Sequence, residues 1–158
     1  GAANVTVQIN TGEQNVEFNI WDTAGQERYR SLAPMYFSGA ALAFLVFDVT
    51  SEKSFRALDT FYELLVQKSP EYVKFIVIGN KADLANEREV QAKQGDDYAM
   101  SIGAEFYIET SAKTGLGVKE LFERAAMIPD LHFEKDYYSG EINANAEPAQ
   151  GSSSKGCC

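Results

Sequence analysis

The sequence predicts an α/β domain: a mostly parallel sheet with crossover helices, preceded by an antiparallel hairpin. Three observations carry this expectation. Two continuously apolar runs, Leu42–Phe47 and Val73–Ile78, suit strands covered on both faces. Helical periods follow them, as in Phe55, Leu58, Tyr62 and Leu65, which recur at three- and four-residue steps. Near the start, two short segments alternate apolar and polar residues around turn chemistry. Strands alternating with helices argue for parallel pairing through right-handed crossovers.

Each element has its own signal. Val5, Val7 and Ile9 alternate with polar residues, Thr11-Gly12-Glu13 supplies a turn, and Val16, Phe18 and Ile20 alternate again. Residues 4–21 therefore predict a hairpin. Leu42–Phe47 runs into Asp48, and a helix is expected over 52–67. Val73–Ile78 ends at Gly79, and a thinner helical pattern covers 87–101. An interior Gly95 should cost that helix about 1 kcal/mol relative to alanine. A short strand, Phe106–Ile108, precedes a helix over 117–128 carrying Val118, Leu121, Phe122 and Ala125, with Pro129 as its stop. Residues 1–133 form the expected domain. Residues 134–158 are rich in Gly, Ser, Asn, Ala and Glu, and Tyr137, Tyr138 and Ile142 are their last sizeable apolar side chains. A flexible tail is the expectation there.

Composition narrows the function. The chain has 158 residues, 45% hydrophobic and 23% charged, enough for one core. Fourteen basic against 23 acidic residues give a net charge of −9, which repels phosphate backbones and argues against a nucleic-acid partner. No apolar run approaches the ~20 residues of a spanning helix, so a soluble body is expected. The only cysteines are Cys157 and Cys158, which excludes a disulfide framework or zinc ribbon and suggests a reducing, cytosolic setting. His132, the sole histidine, suits a surface or helix-end position. Tyr98, Phe106 and Phe122 suit the core, and Glu87-Arg88-Glu89 a solvated helix start.

Three clusters carry chemistry, each after a strand. In Trp21-Asp22-Thr23-Ala24-Gly25-Gln26-Glu27, an aspartate at a strand's carboxyl end can hold Mg²⁺ directly or through water. Gly25 lets the backbone approach a phosphate, and Gln26 can orient an attacking water. A strand-to-loop turn with a capping aspartate would use the same residues. In Gly79-Asn80-Lys81-Ala82-Asp83, a carboxylate can accept both the ring N–H and the exocyclic amine of guanine. Adenine lacks that donor pair, and such a site can reject the wrong base by roughly 10⁴–10⁵. Lys81 could lay its aliphatic stem on the base. A polar loop opening a helix is the plainer alternative. In Glu109-Thr110-Ser111-Ala112-Lys113, a tight turn could present the Ala112 N–H to a carbonyl such as guanine O6, with Lys113 packing the base. All three clusters are expected at one rim of one sheet.

Trp21–Glu27, Gly79–Leu84 and Glu109–Lys113 resemble the phosphate- and guanine-binding motifs of the Ras-like small GTPases. Arg28-Tyr29-Arg30-Ser31-Leu32-Ala33-Pro34-Met35-Tyr36 and the terminal Cys157-Cys158 make the chain most similar to the Rab family, in particular its early-endosomal branch. The resemblance implies a Ras-like P-loop GTPase fold with the hairpin at the sheet edge, and a GTP/GDP switch in vesicle traffic. It assigns Asp22 to the magnesium side, Gly25 to the γ-phosphate, and Gln26 to the water. Asn80, Lys81, Asp83, Ser111, Ala112 and Lys113 would form the guanine pocket, and Trp21 and Tyr36 an effector surface. Cys157 and Cys158 would take two geranylgeranyl groups, since one lipid chain anchors only marginally. Implied partners are guanine nucleotide, an exchange factor, a GTPase-activating protein, effectors, prenyl-binding escort and dissociation proteins, and the membrane. The implied location is the cytoplasmic face of endosomal or other vesicle membranes, cycling with the cytosol.

The chain also departs from that pattern. It contains no G-x-x-x-x-G-K-[ST] run, the loop whose N–H groups and lysine cradle the β- and γ-phosphates. It lacks the first-switch threonine that the family uses on Mg²⁺, and Asn4 stands where relatives place an aromatic effector residue. In the fold it resembles, the first strand lies between the strands ending at Trp21 and Asp48. The chain is therefore expected to be the carboxyl-terminal portion of a longer GTPase, lacking the first strand, phosphate loop and first helix. The alternative is a non-hydrolysing, membrane-tethered interaction module or inactive fragment.

Overall fold

The computed structural model describes residues 3–23 and 37–133. Gly25, Gln26, Tyr36, Cys157, Cys158 and the 134–158 tail lie outside the described residues. Strands β1 (Ala3–Asn10) and β2 (Asn15–Asp22) form the antiparallel hairpin, in register from Ala3 opposite Asp22 to Asn10 opposite Asn15. The Thr11 N–H donates to the Gln14 carbonyl at 3.0 Å, and the Gly12 N–H to Asn10 Oδ1 at 2.7 Å. Gly12 turns the corner at φ 88°, a region that favours glycine.

Strands β3 (Leu42–Asp48), β4 (Lys74–Asn80) and β5 (Phe106–Glu109) form a parallel sheet in the order β3-β4-β5. Its centre is apolar on both faces. Ala43, Leu45, Phe47 and Val77 are buried with Leu58 and Leu65 of helix α2 (Leu58–Lys68) and Ala99 of α3 (Ala92–Ser101). Ile76, Ile78 and Ile108 are buried on the other side with Leu121 and Ala125 of α4 (Val118–Ala126). Burial of every residue from Ile76 to Gly79 explains why β4 reads as an unbroken apolar run. Among the described residues the hairpin and the three-stranded sheet are separate sheets. They meet through Phe122, whose ring lies 5.6 Å from Phe18 of β2 and 5.8 Å from Phe44 of β3.

Two helices differ from expectation. The single helix predicted over 52–67 is two, α1 (Glu52–Arg56) and α2, joined at Ala57. At the start of α1 the Ser54 hydroxyl donates to the carbonyl of the N-cap residue Ser51 at 2.7 Å. The helix predicted over 87–101 begins only at Ala92, behind a reciprocal cap between Gln91 and Gln94. Residues 85–87 form a 3₁₀ turn instead, and the N–H groups of Glu89 and Val90 both donate to the Val49 carbonyl, at 2.9 and 3.0 Å. Those bonds tie the segment to the end of β3 and withhold it from the helix. The interior Gly95 has a packing reason: a Cβ there would collide with the Tyr107 ring. His132 is exposed, as expected, and stacks on Tyr72 with ring centroids 4.0 Å apart.

Candidate nucleotide site

The parallel register of β4 and β5, Gly79 opposite Glu109, delivers two of the sequence clusters to the same rim. The ladder continues beyond the strands. The Thr110 N–H donates to the Gly79 carbonyl at 2.9 Å, and the Ala82 N–H to the Thr110 carbonyl at 3.0 Å. Side chains then lock the loops. Asn80 Oδ1 accepts from the Ala112 N–H at 3.0 Å and from the Thr110 hydroxyl at 3.2 Å. The Ser111 hydroxyl, fully buried, donates to Asp83 Oδ1 at 2.7 Å and accepts from the Thr114 N–H at 3.1 Å. Asp83 is exposed, with its Oδ1 engaged in this way and the carboxylate open to solvent. Lys113, just after Ser111 and Ala112, is exposed.

Asn80, Lys81, Asp83, Ser111, Ala112 and Lys113 thus share two cross-bonded loops. One expectation needs correction. The Ala112 N–H, predicted to await a carbonyl oxygen, is occupied by Asn80 Oδ1, so a ligand oxygen must share or displace that bond. Asp22 and Trp21 end β2 on the separate hairpin; both are exposed, Trp21 by 47%. Among the described residues no three His, Cys, Asp or Glu side chains gather as a metal set. A lone carboxylate still fits Mg²⁺, which usually binds through one or two carboxylates, waters and substrate phosphates.

Two further contacts were not legible as site features. Arg88, expected in a solvated charge run, is instead only 17% exposed and bidentate to Glu109, at 2.7 and 2.8 Å. Its Nη1 also donates to the Val90 carbonyl at 3.0 Å, and the Tyr107 hydroxyl donates to Glu109 Oε1 at 2.9 Å. The pair joins the segment after Asp83 to the residue before Thr110, bracing both loops from behind. The hydrogen bonds from Arg88 hold the Glu109 carboxyl below its ordinary pKa, against the opposing effect of burial. Tyr107 reaches Glu109 past Gly79, where a Cβ would stand 2.5 Å from its hydroxyl oxygen. The second contact is an ion pair of 2.6 Å between Lys81 Nζ and Asp48 Oδ2 at the end of β3. Lys81 also holds φ 64°, a rare left-handed backbone for a residue with a side chain.

The Ras family model matches residues 1–128. The chain is 41% identical over 159 residues to Ras-related protein Rab-31 of Mus musculus, covering all of this chain and 80% of that protein. It is 42% identical over 160 residues to Ras-related protein Rab5 of Nicotiana tabacum, covering all of this chain and 78% of the relative. Ras-related protein RABF2b of Arabidopsis thaliana is 49% identical over 127 residues, 80% of this chain and 62% of its own length. With a strand-end site of this form and these relatives, the chain belongs to the Ras family, as a Rab-type small GTPase of the Rab5 and Rab-31 kind.

Proposed function

We propose that the rim built from Asn80–Asp83 and Thr110–Lys113 reads the guanine base of a GTP/GDP switch acting in vesicle traffic, at endosomal membranes in particular. The observation that carries this reading is the pair of cross-loop bonds, Asn80 to Ala112 and Ser111 to Asp83. They set an acidic side chain, a backbone N–H and two lysines on one edge before any ligand arrives. Asp83 would accept the guanine ring N–H and amine, Ala112 would meet O6, and Lys81 and Lys113 would flank the base with their stems. Holding Asp83 in place lowers the cost of selecting a base, while the Ala112 N–H must first share or exchange its bond to Asn80.

In the same reading Asp22 holds the magnesium side, Gly25 approaches the γ-phosphate, and Gln26 orients water. Mg²⁺, when bound, supplies positive charge to the phosphate oxygens. Trp21 and Tyr36 belong to the effector surface. Geranylgeranyl groups on Cys157 and Cys158 tether the protein to the cytoplasmic face of vesicle membranes, and escort and dissociation proteins return it to the cytosol. Exchange and activating factors set its nucleotide state.

A second reading, a membrane-tethered interaction module without turnover, draws on the sequence: none of its 158 residues forms the phosphate-cradling G-x-x-x-x-G-K-[ST] run. Ligand-observed NMR with millimolar GDP and ADP decides between them for this chain. The switch reading expects weak binding with a clear preference for GDP. Equal signals for both nucleotides, or none, favour the module.

A further inference from the structure

Among the described residues two lysine ion pairs join strands, Lys74–Glu105 where β4 and β5 begin and Lys81–Asp48 where β3 and β4 end, and only the second lies at the rim that carries Asn80 and Asp83. Lys93–Asp97 and Lys119–Glu123 are one-turn helix contacts on exposed side chains, of the kind that contribute little. Lys81–Asp48 bridges the ends of two strands, at the last register pair of the parallel ladder, where Asp48 lies opposite Asn80. Both partners are fixed from outside the pair. Asp48 Oδ1 accepts from the Thr50 N–H at 2.8 Å and the Thr50 hydroxyl at 2.6 Å. The Asp48 backbone is held by Ser54, whose hydroxyl accepts from the Asp48 N–H at 2.9 Å. Lys81 leaves β4 in the left-handed region at φ 64°, a costly conformation that persists only where its surroundings demand it.

We propose that Asp48 is a positioning residue for guanine: held by Thr50, its carboxylate pins Lys81 Nζ so that the lysine stem lies in place beside the base before nucleotide binds. The inference rests on the guanine-site reading above and adds to it a residue that does not itself touch the base. The charges behave accordingly. Burial would raise the Asp48 pKa, but the Lys81 and Thr50 hydrogen bonds outweigh it and keep the carboxyl below its ordinary value. The Asp48 hydrogen bond raises the Lys81 amine. A pinned lysine reduces the side-chain entropy lost when a ligand orders it.

Asp48→Asn separates the two roles of the carboxylate. The amide oxygen can still accept both Thr50 bonds, while the amide nitrogen now faces the ammonium and cannot pair with it. Two readouts on the whole chain test the proposal. In acetylation followed by mass spectrometry, with Lys119 as internal reference, Asp48→Asn should speed modification of Lys81 about threefold, because a released amine is more often uncharged and accessible. In ligand-observed NMR with GDP, Asp48→Asn and Lys81→Met should each weaken binding about fivefold, the scale of one exposed charge-assisted contact. The double variant should be no weaker than Lys81→Met alone, because Asp48 acts through Lys81. Unchanged Lys81 reactivity in Asp48→Asn overturns the proposal, as does additivity in the double variant. If Lys81→Met leaves GDP binding unchanged, or the parent chain binds no GDP, the guanine-site reading fails and the positioning role falls with it. The acetylation readout would still show the pair in that case, so the two failures are distinguishable.

Discussion

The two ends of the described chain are held by different physics. At the rim that carries Asn80–Asp83 and Thr110–Lys113, β4 and β5 are joined by a parallel ladder, by loop bonds through Asn80 and Asp83, and by the bidentate Arg88–Glu109 pair behind them. The hairpin has its own complete ladder and, among the described residues, no strand pairing to the sheet; Phe18 meets the ring of Phe122, which also meets Phe44. Its inward side is only partly dry: Val16 is 3% exposed, whereas Val5 on the partner strand is 57% exposed. On β3, Val46 is 52% exposed although Ala43, Leu45 and Phe47 are buried. Directional bonds tie the two loops of the rim to each other. The hairpin keeps its internal structure but is coupled weakly to the rest, so the two regions should respond differently to damage.

The largest effect should come from breaking the brace. Arg88→Ala leaves a partly buried Glu109 carboxylate without its partner and should cost about 2–3 kcal/mol in urea unfolding. Acid should reveal the same contact. Glu109 titrates below its ordinary value in the folded chain, so its contribution is fully present above about pH 5 and is lost as pH falls through the lowered value. Arg88→Ala should therefore flatten that part of the stability profile. An unchanged acid slope would remove the brace from the account.

Gly95→Ala tests the packing behind the rim. Helix propensity alone predicts a gain of about 1 kcal/mol, but the added methyl meets the Tyr107 ring, and overpacking should turn the gain into a loss of about 1–2 kcal/mol. Tyr107→Leu in the same chain should recover part of it. Stabilisation by Gly95→Ala alone would show that the ring can move aside at no cost.

Phe18→Ala should have the smallest global effect, about 1 kcal/mol, since one edge-to-face contact and part of a ring are lost. Its local effect should be selective. Amide exchange should quicken across Ala3–Asn10 and Asn15–Asp22 while Lys74–Asn80 and Phe106–Glu109 keep their protection. Equal acceleration in both regions would mean that they unfold as one unit.

Much of the fold was legible because local period and burial agree. β4 is apolar on both faces and looks so in sequence, and the hairpin alternates as a one-sided pair must. What the sequence hid depends on partners far along the chain. Arg88 resembles a solvated charge until β5 brings Glu109 to it, and residues 87–91 resemble a helix until the Val49 carbonyl takes two of their N–H groups. Gly95 looks like a flaw until Tyr107 lies against it. That Asn80–Asp83 and Ser111–Lys113 share one rim was legible because both runs follow strand ends. Their mutual bonding was not, and neither was the Asn80 contact that occupies the Ala112 N–H.

Base choice tests the central claim most directly. Asp83→Asn exchanges one carboxylate acceptor for an amide donor while leaving an oxygen to accept from the Ser111 hydroxyl. Guanine's ring N–H and amine then meet a donor, whereas the 2-oxo group of xanthine can accept from it. Competition between GDP and XDP on the whole chain, read by ligand-observed NMR, should show the parent preferring GDP and the variant preferring XDP. A variant that keeps its preference for GDP would contradict the assignment of this rim as the reader of the base.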